Sequence, residues 1–124
     1  MGIQNVLLVD DEPDIRLIGE ISLTRVGGFD VRVAASGEEA LALVREAHPD
    51  VVLLDVMMPG MDGPTVLRLL RDDPSTRGIP VVFVTGKVQR HEVLEYLELG
   101  ASGVLSKPFD PMTLPDDVRR ILTQ

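Results

Sequence analysis

Along this chain, short runs that are apolar at nearly every position alternate with longer stretches in which apolar residues recur at three- and four-residue intervals. The apolar runs are "VLLV" at 6–9, "VRVAA" at 31–35, "VVLLDV" at 51–56, "PVVFVT" at 80–85 and "GVLS" at 103–106. Val-rich runs with no polar face predict parallel strands covered by helices on both sides. Between them the period is helical. Ile15, Leu17, Ile18 and Ile21 form a stripe within 13–26, beside Arg16, Glu20 and Ser22; Ala40, Leu41, Val44 and Ala47 form another within 37–47. The segments 64–72, 88–99 and 114–123 read alike, the last through Leu114, Val118, Ile121 and Leu122. Pro13 and Pro64 suit first helical turns, and Thr113 with Asp116 resembles a capping box. Gly27-Gly28, His48-Pro49, Asp73-Pro74 and Gly100 mark helix ends.

Five strands alternating with five helices predict a doubly wound α/β domain with right-handed crossovers. The 124 residues suit one core, and no repeat or linker divides them, so residues 1–124 are expected to form one domain. A longer parent protein stays compatible with this reading. Twelve basic against twenty acidic residues give a formal charge of −8. That balance argues against direct contact with nucleic acid or an anionic membrane. The absence of cysteine excludes disulfides and thiol chemistry. With neither a signal peptide nor a long apolar run, a cytoplasmic location is expected.

In open α/β sheets, ligand sites form at the carboxyl ends of the strands. Here the first strand delivers Asp10 and Asp11, the third Asp55, the fourth Thr85 and the fifth Lys107. Adjacent carboxylates repel, so their gathering calls for a compensating cation or for exposure at a helix start. Three carboxylates suit a hard divalent ion, and few protein ligands with several open positions favour Mg²⁺. Asp55 is then placed to attack phosphorus and form an acyl phosphate. Mg²⁺, the Lys107 ammonium and the Thr85 hydroxyl would each take a phosphoryl oxygen.

These stretches resemble the receiver domain of bacterial two-component response regulators. The resemblance runs through "VLLVDDEPDI", "VVLLDVMMPGMDG", "PVVFVTG" and "GASGVLSKPFDPMTL", which together span nearly the whole chain, and it suggests the stand-alone type. It implies a flavodoxin-like five-stranded parallel sheet in the order 2-1-3-4-5 with helices on both faces. It implies that Asp55 accepts phosphate from a sensor histidine kinase or a histidine phosphotransfer protein. It further implies Mg²⁺ held by Asp10, Asp11 and Asp55 with the main-chain carbonyl of Met57, phosphoryl contacts from Thr85 and Lys107, and a cis Lys107–Pro108 bond. A downstream protein would read the surface around residues 86–123. The chain departs from the family at Val104, where Phe or Tyr is usual three residues before the lysine, and at Gly86, where Ala is common. Val104 predicts weaker coupling to that surface.

Other readings compete. One has the acids at 10–12 serving only to start a helix. A Mg²⁺-dependent aspartyl phosphatase would need an acid two residues after the nucleophile, where Met57 stands. An FMN-binding module would need a Ser/Thr/Gly-rich loop after the first strand, where carboxylates stand. A degenerate receiver serving as a protein-binding scaffold would have no use for all five site residues. No turnover of a separate substrate is expected. Met57, Met58 and Met61 read as packing residues, Gly60 and Gly63 as turn residues with positive φ. His48 and His91 lack metal-ligand spacing, and Arg119 and Arg120 suit the dipole of the last helix.

Overall fold

A computed structural model describes residues 2–86 and 89–123. Five strands, β1 (Asn5–Val9), β2 (Asp30–Ala34), β3 (Val51–Asp55), β4 (Val81–Thr85) and β5 (Gly103–Ser106), form one parallel sheet in the order β2-β1-β3-β4-β5. Five α-helices connect them: α1 (Pro13–Ile21), α2 (Gly37–Glu46), α3 (Gly63–Asp72), α4 (Arg90–Glu98) and α5 (Leu114–Leu122). The expected fold and strand order are both present. Val88, the expected first residue of the fourth helix, lies outside the described residues.

The sheet divides the core in two because strand side chains alternate. Leu7, Val9, Val52, Leu54, Val81 and Phe83 face one side with α2 and α3, while Val6, Leu8, Val51, Leu53, Val82 and Val84 face the other with α5. β3 and β4 are buried along their whole length, as their unbroken apolar runs require.

Three helices depart from the sequence reading. The first continues beyond α1 as a π-helical turn at Ser22–Val26, and its inward residues are Gly19, Ser22 and Leu23. The expected stripe points outward instead, with Leu17, Ile18 and Ile21 all exposed. Gly19 explains this: a Cβ there would stand 2.6 Å from a Leu8 methyl, so the helix packs backbone-first and its branched residues turn away. α4 has no fully buried residue, and Leu94, Leu97 and Leu99 are exposed. At α5, Thr113 makes no capping bond to the helix backbone; its hydroxyl lies 3.3 Å from the Asp117 carboxylate. The capping pair is at α2, where the Ser36 hydroxyl accepts from the Glu39 N–H (3.1 Å) and Glu39 accepts from the Ala35 N–H (2.9 Å).

Gly60 has the expected positive φ of 76°, but Gly63 does not. Gly63 is constrained by space: a Cβ would lie 2.5 Å from the Asp55 carbonyl oxygen and 2.9 Å from Val56 Cα. Both obstacles are backbone, so neither can rotate aside. Gly63→Ala is therefore expected to cost about 1–3 kcal/mol, the usual range for overpacking. Urea unfolding measures it: the midpoint should fall with the slope preserved, and an unmoved midpoint contradicts the close approach.

Candidate functional site

The parallel sheet places every strand's carboxyl end at one edge, and register sets their heights. Val9 pairs with Leu54, Asp55 with Val84, and Thr85 with Ser106. The residue after β1 and the last residues of β3 and β4 therefore meet at that edge. Asp10, Asp55 and Thr85 are buried there, and Asp11 is half-buried at the rim. One carboxylate oxygen from each of Asp10, Asp11 and Asp55 can be chosen so that all three lie within 4.8 Å of one another.

Lys107 reaches into this cup. Its Nζ lies 2.7 Å from Asp10 Oδ2 and 3.2 Å from Asp55 Oδ1, with Glu12 Oε1 farther away at 3.9 Å. Its position is fixed from the backbone, since its N–H donates to the Thr85 carbonyl (2.9 Å) and the bond to Pro108 is cis. Asp10 is also held: its Oδ1 accepts from the Glu12 N–H (2.9 Å), and its carbonyl accepts from the Arg16 guanidinium (2.7 Å). Glu12 itself makes no side-chain cap to α1. The acids at the start of α1 thus serve the cup more than the helix. The Met57 N–H approaches Asp55 Oδ1 at 3.4 Å, and its side chain is exposed.

Burial, followed by the neighbouring Asp10 charge, pushes the Asp55 carboxyl up to about 6; Lys107 and the Met57 N–H pull the other way without prevailing. For Lys107 burial works against the charge, yet Asp10 and then Asp55 outweigh it and its pKa is raised. One ammonium shared by two buried carboxylates, with a third close by, leaves the cup negative. A hard cation fits that donor set. Asp10, Asp11 and Asp55 are the residues that would hold it.

Residues 6–119 match the profile of the response regulator receiver domain. This chain belongs to that family. It is 48% identical over 117 residues to the response regulator PleD of Caulobacter vibrioides, covering 94% of this chain and 25% of that protein. It is 45% identical over 116 residues to the DNA-binding response regulator MtrA of Mycolicibacterium smegmatis, covering 94% of this chain and 49% of that one. The chain therefore spans a quarter to a half of these curated relatives. Its backbone is similar to that of the Vibrio cholerae chemotaxis protein CheY4, with a TM-score of 0.89, 34% identity, and 97% and 99% of the two chains covered.

All five strand-end residues expected of a receiver site stand at one edge, with Met57 and Pro108 flanking them. Val104 lies elsewhere, half-buried in β5 opposite Phe83. From the sequence alone, relief of the carboxylate repulsion falls to a metal and Lys107 has only a phosphoryl contact. The structure adds a second relief, the ion pairs of Lys107 with Asp10 and Asp55. Their signal was present, since a lysine directly after a strand's last residue stands at the same edge as the acids of the neighbouring strands.

Asp55 supplies a pH prediction. Its folded pKa lies above the 3.8 of an unperturbed carboxyl, so between about pH 4 and 6 the folded chain holds this proton more tightly than the unfolded one. Its contribution to stability therefore falls as pH rises through that window, by at most about 3 kcal/mol at about 1.4 per pH unit. Asp55→Asn removes the penalised charge and leaves Lys107 paired with Asp10. In chelator, the variant should melt several degrees above wild type near neutral pH, and the gap should close toward pH 4. A gap independent of pH contradicts the assignment.

Proposed function

We propose that Asp55 is the phosphoacceptor of a two-component phosphorelay. The observation that carries this reading is the Lys107 ammonium 3.2 Å from Asp55 Oδ1, inside a cup that also holds Asp10 and Asp11. An Asp55 carboxylate oxygen attacks phosphorus in a phosphohistidine of a sensor histidine kinase or a histidine phosphotransfer protein. The P–O bond forms as the P–N bond breaks, and the electron pair returns to the imidazole nitrogen, which takes up a proton. Burial and Asp10 hold the carboxyl near 6, low enough for the nucleophilic, ionised form to prevail at neutral pH. Lys107 takes one oxygen of the transferred group and the Thr85 hydroxyl another. Asp10, Asp11, Asp55 and the Met57 carbonyl would hold Mg²⁺, which when bound supplies positive charge to the phosphoryl oxygens. Water later attacks phosphorus, releasing phosphate and restoring the carboxylate. The domain assists these two steps on itself and turns over no other substrate.

The donor's docking surface on this reading is α1. Leu17, Ile18 and Ile21 are 56%, 43% and 46% exposed, an apolar strip beginning next to the acidic cup and suited to an apolar helical face. We further take residues 1–124 as one receiver domain working in the cytoplasm without direct contact with nucleic acid or membrane. The acyl phosphate adds close to two negative charges. Engagement by Thr85 and Lys107 then favours one of two pre-existing arrangements of the surface at residues 86–123, which an effector protein reads. With Val104 in β5 that response is modest.

Acetyl phosphate labelling followed by intact mass is the direct test. Wild type with Mg²⁺ should gain one phosphoryl group, and Asp55→Asn or added chelator should abolish the gain; undiminished labelling of Asp55→Asn overturns the nucleophile assignment. In Mg²⁺ titrations, Asp10→Ala or Asp11→Ala should weaken affinity, and unchanged affinity removes the metal site. Lys107→Ala should fold yet lose the response to phosphorylation, and an intact response means its role is misassigned.

A further inference from the structure

Two side-chain contacts help to fasten α4 to the rest of the domain. Its carboxyl end is tied by Arg71, whose guanidinium donates to the Gly100 carbonyl (2.9 Å) as well as to the carbonyls of Ile79 (2.8 Å) and Arg77 (3.0 Å). Its middle is seated by Tyr96. Among the described residues this is the one buried or half-buried α4 side chain packed against either core cluster. The Tyr96 ring meets Phe83 edge-on, with centroids 5.0 Å apart and planes at 65°. Phe83 is fully buried in β4 and pairs in register with Leu54, the neighbour of Asp55, and with Val104. Thr85 follows Phe83 by two residues in the same strand, so their side chains project to the same face of the sheet. Val104 opposite Phe83 is small, and the aromatic partner on this face comes from the helix.

We propose that Tyr96 is the positioning residue through which occupancy of the Asp55 site reaches α4. The helix turns about the Tyr96–Phe83 contact, with its carboxyl end held by Arg71 while its amino end follows the strand end at Thr85. Gln89, at that amino end, makes no side-chain cap that would resist the movement. The contact does for the helix what a ring at position 104 would do from the strand. The inference rests on the phosphoacceptor reading and names how that site would be read out.

Tyr96 is the single tyrosine of a chain without tryptophan, so tyrosine emission reports this contact alone. The experiment titrates beryllofluoride with Mg²⁺ into the full chain, following the bound fluoride by ¹⁹F NMR, tyrosine emission, and the amide shifts of residues 90–98. Emission should change in step with the bound-fluoride signal. Tyr96→Ala should keep that signal and lose the α4 shift changes, and Tyr96→Phe should restore them. Flat emission in wild type at saturating bound fluoride overturns the inference and leaves the phosphoacceptor reading standing. So does a Tyr96→Ala variant whose α4 amides respond as wild type. Absence of bound fluoride in wild type, by contrast, overturns the phosphoacceptor reading and this inference with it.

Discussion

The ammonium of Lys107 is the constraint on which the carboxyl edge of this sheet depends. It joins Asp10, which follows β1, to Asp55, which ends β3, from a loop that follows β5. Two buried carboxylates with no cation between them would force one to hold a proton. With Lys107 at 2.7 and 3.2 Å both have a partner. Removing Lys107 would leave both carboxylates without that cation, and stripping a buried charge of its partner typically costs about 3–5 kcal/mol. The arrangement holds because the Lys107 N–H is pinned to the Thr85 carbonyl, and Thr85 is in turn paired with Ser106. Backbone hydrogen bonds place the lysine, and the lysine makes the acidic cup tolerable.

The helices divide according to how they meet the sheet. α2, α3 and α5 each bury apolar side chains and fix the core. The α1 segment packs through Gly19, Ser22 and Leu23, and its isoleucines face outward. The Ser22 hydroxyl donates to the Pro111 carbonyl, and Arg119 lies over the Phe29 ring at 4.4 Å while donating to the Gly27 carbonyl. Polar and cation–π contacts thus fasten the α1 segment to α5, which frees the apolar strip of α1 from any duty in the core. α4 gives up core contact in a different way, keeping one aromatic seat and one guanidinium tie. Both helices flank the acidic edge in the chain, so the elements held least by apolar burial adjoin the chemistry.

The strands were legible because a parallel strand buried on both faces leaves a run that needs no period to detect, and all five lie within a residue or so of their expected bounds. The site residues were legible for a related reason: a polar residue ending such a run has only the carboxyl edge to occupy. Helix orientation was harder to read. An apolar stripe at helical spacing does not say whether it faces core or solvent, and only the close approach of Gly19 to Leu8 decides the matter for α1. Gly63 looked like a turn glycine because sequence shows the residue and not the backbone facing it. The pair Ser36–Glu39 was in plain view as S-x-x-E. Thr113–Asp116 offers a weaker version of the same pattern, and its capping bond does not form. Contacts such as Tyr96 on Phe83 join residues far apart in the chain, and no local pattern announces them.

The cup is only partly balanced by Lys107, and the negative charge it keeps suits a hard cation. Burial, and after it the Asp10 charge, outweigh the Lys107 ammonium, so the Asp55 carboxyl is held near 6 and is still on its ionised side at neutral pH. A second lysine beside Asp55 would bring the cup closer to neutrality and favour the ionised carboxylate further. Replacing Asp10 with an apolar residue would lower the Asp55 pKa by removing a like charge, and would also remove the partner that orients Lys107 at 2.7 Å. The charge that makes Asp55 reluctant to ionise is the same charge that positions the group opposite it. An oxyanion arriving at Asp55 would find Lys107 already in place and would bring the negative charge that a shared ammonium can accept. No reorganisation of the fold is required for that exchange, because each participant is anchored by its own strand end.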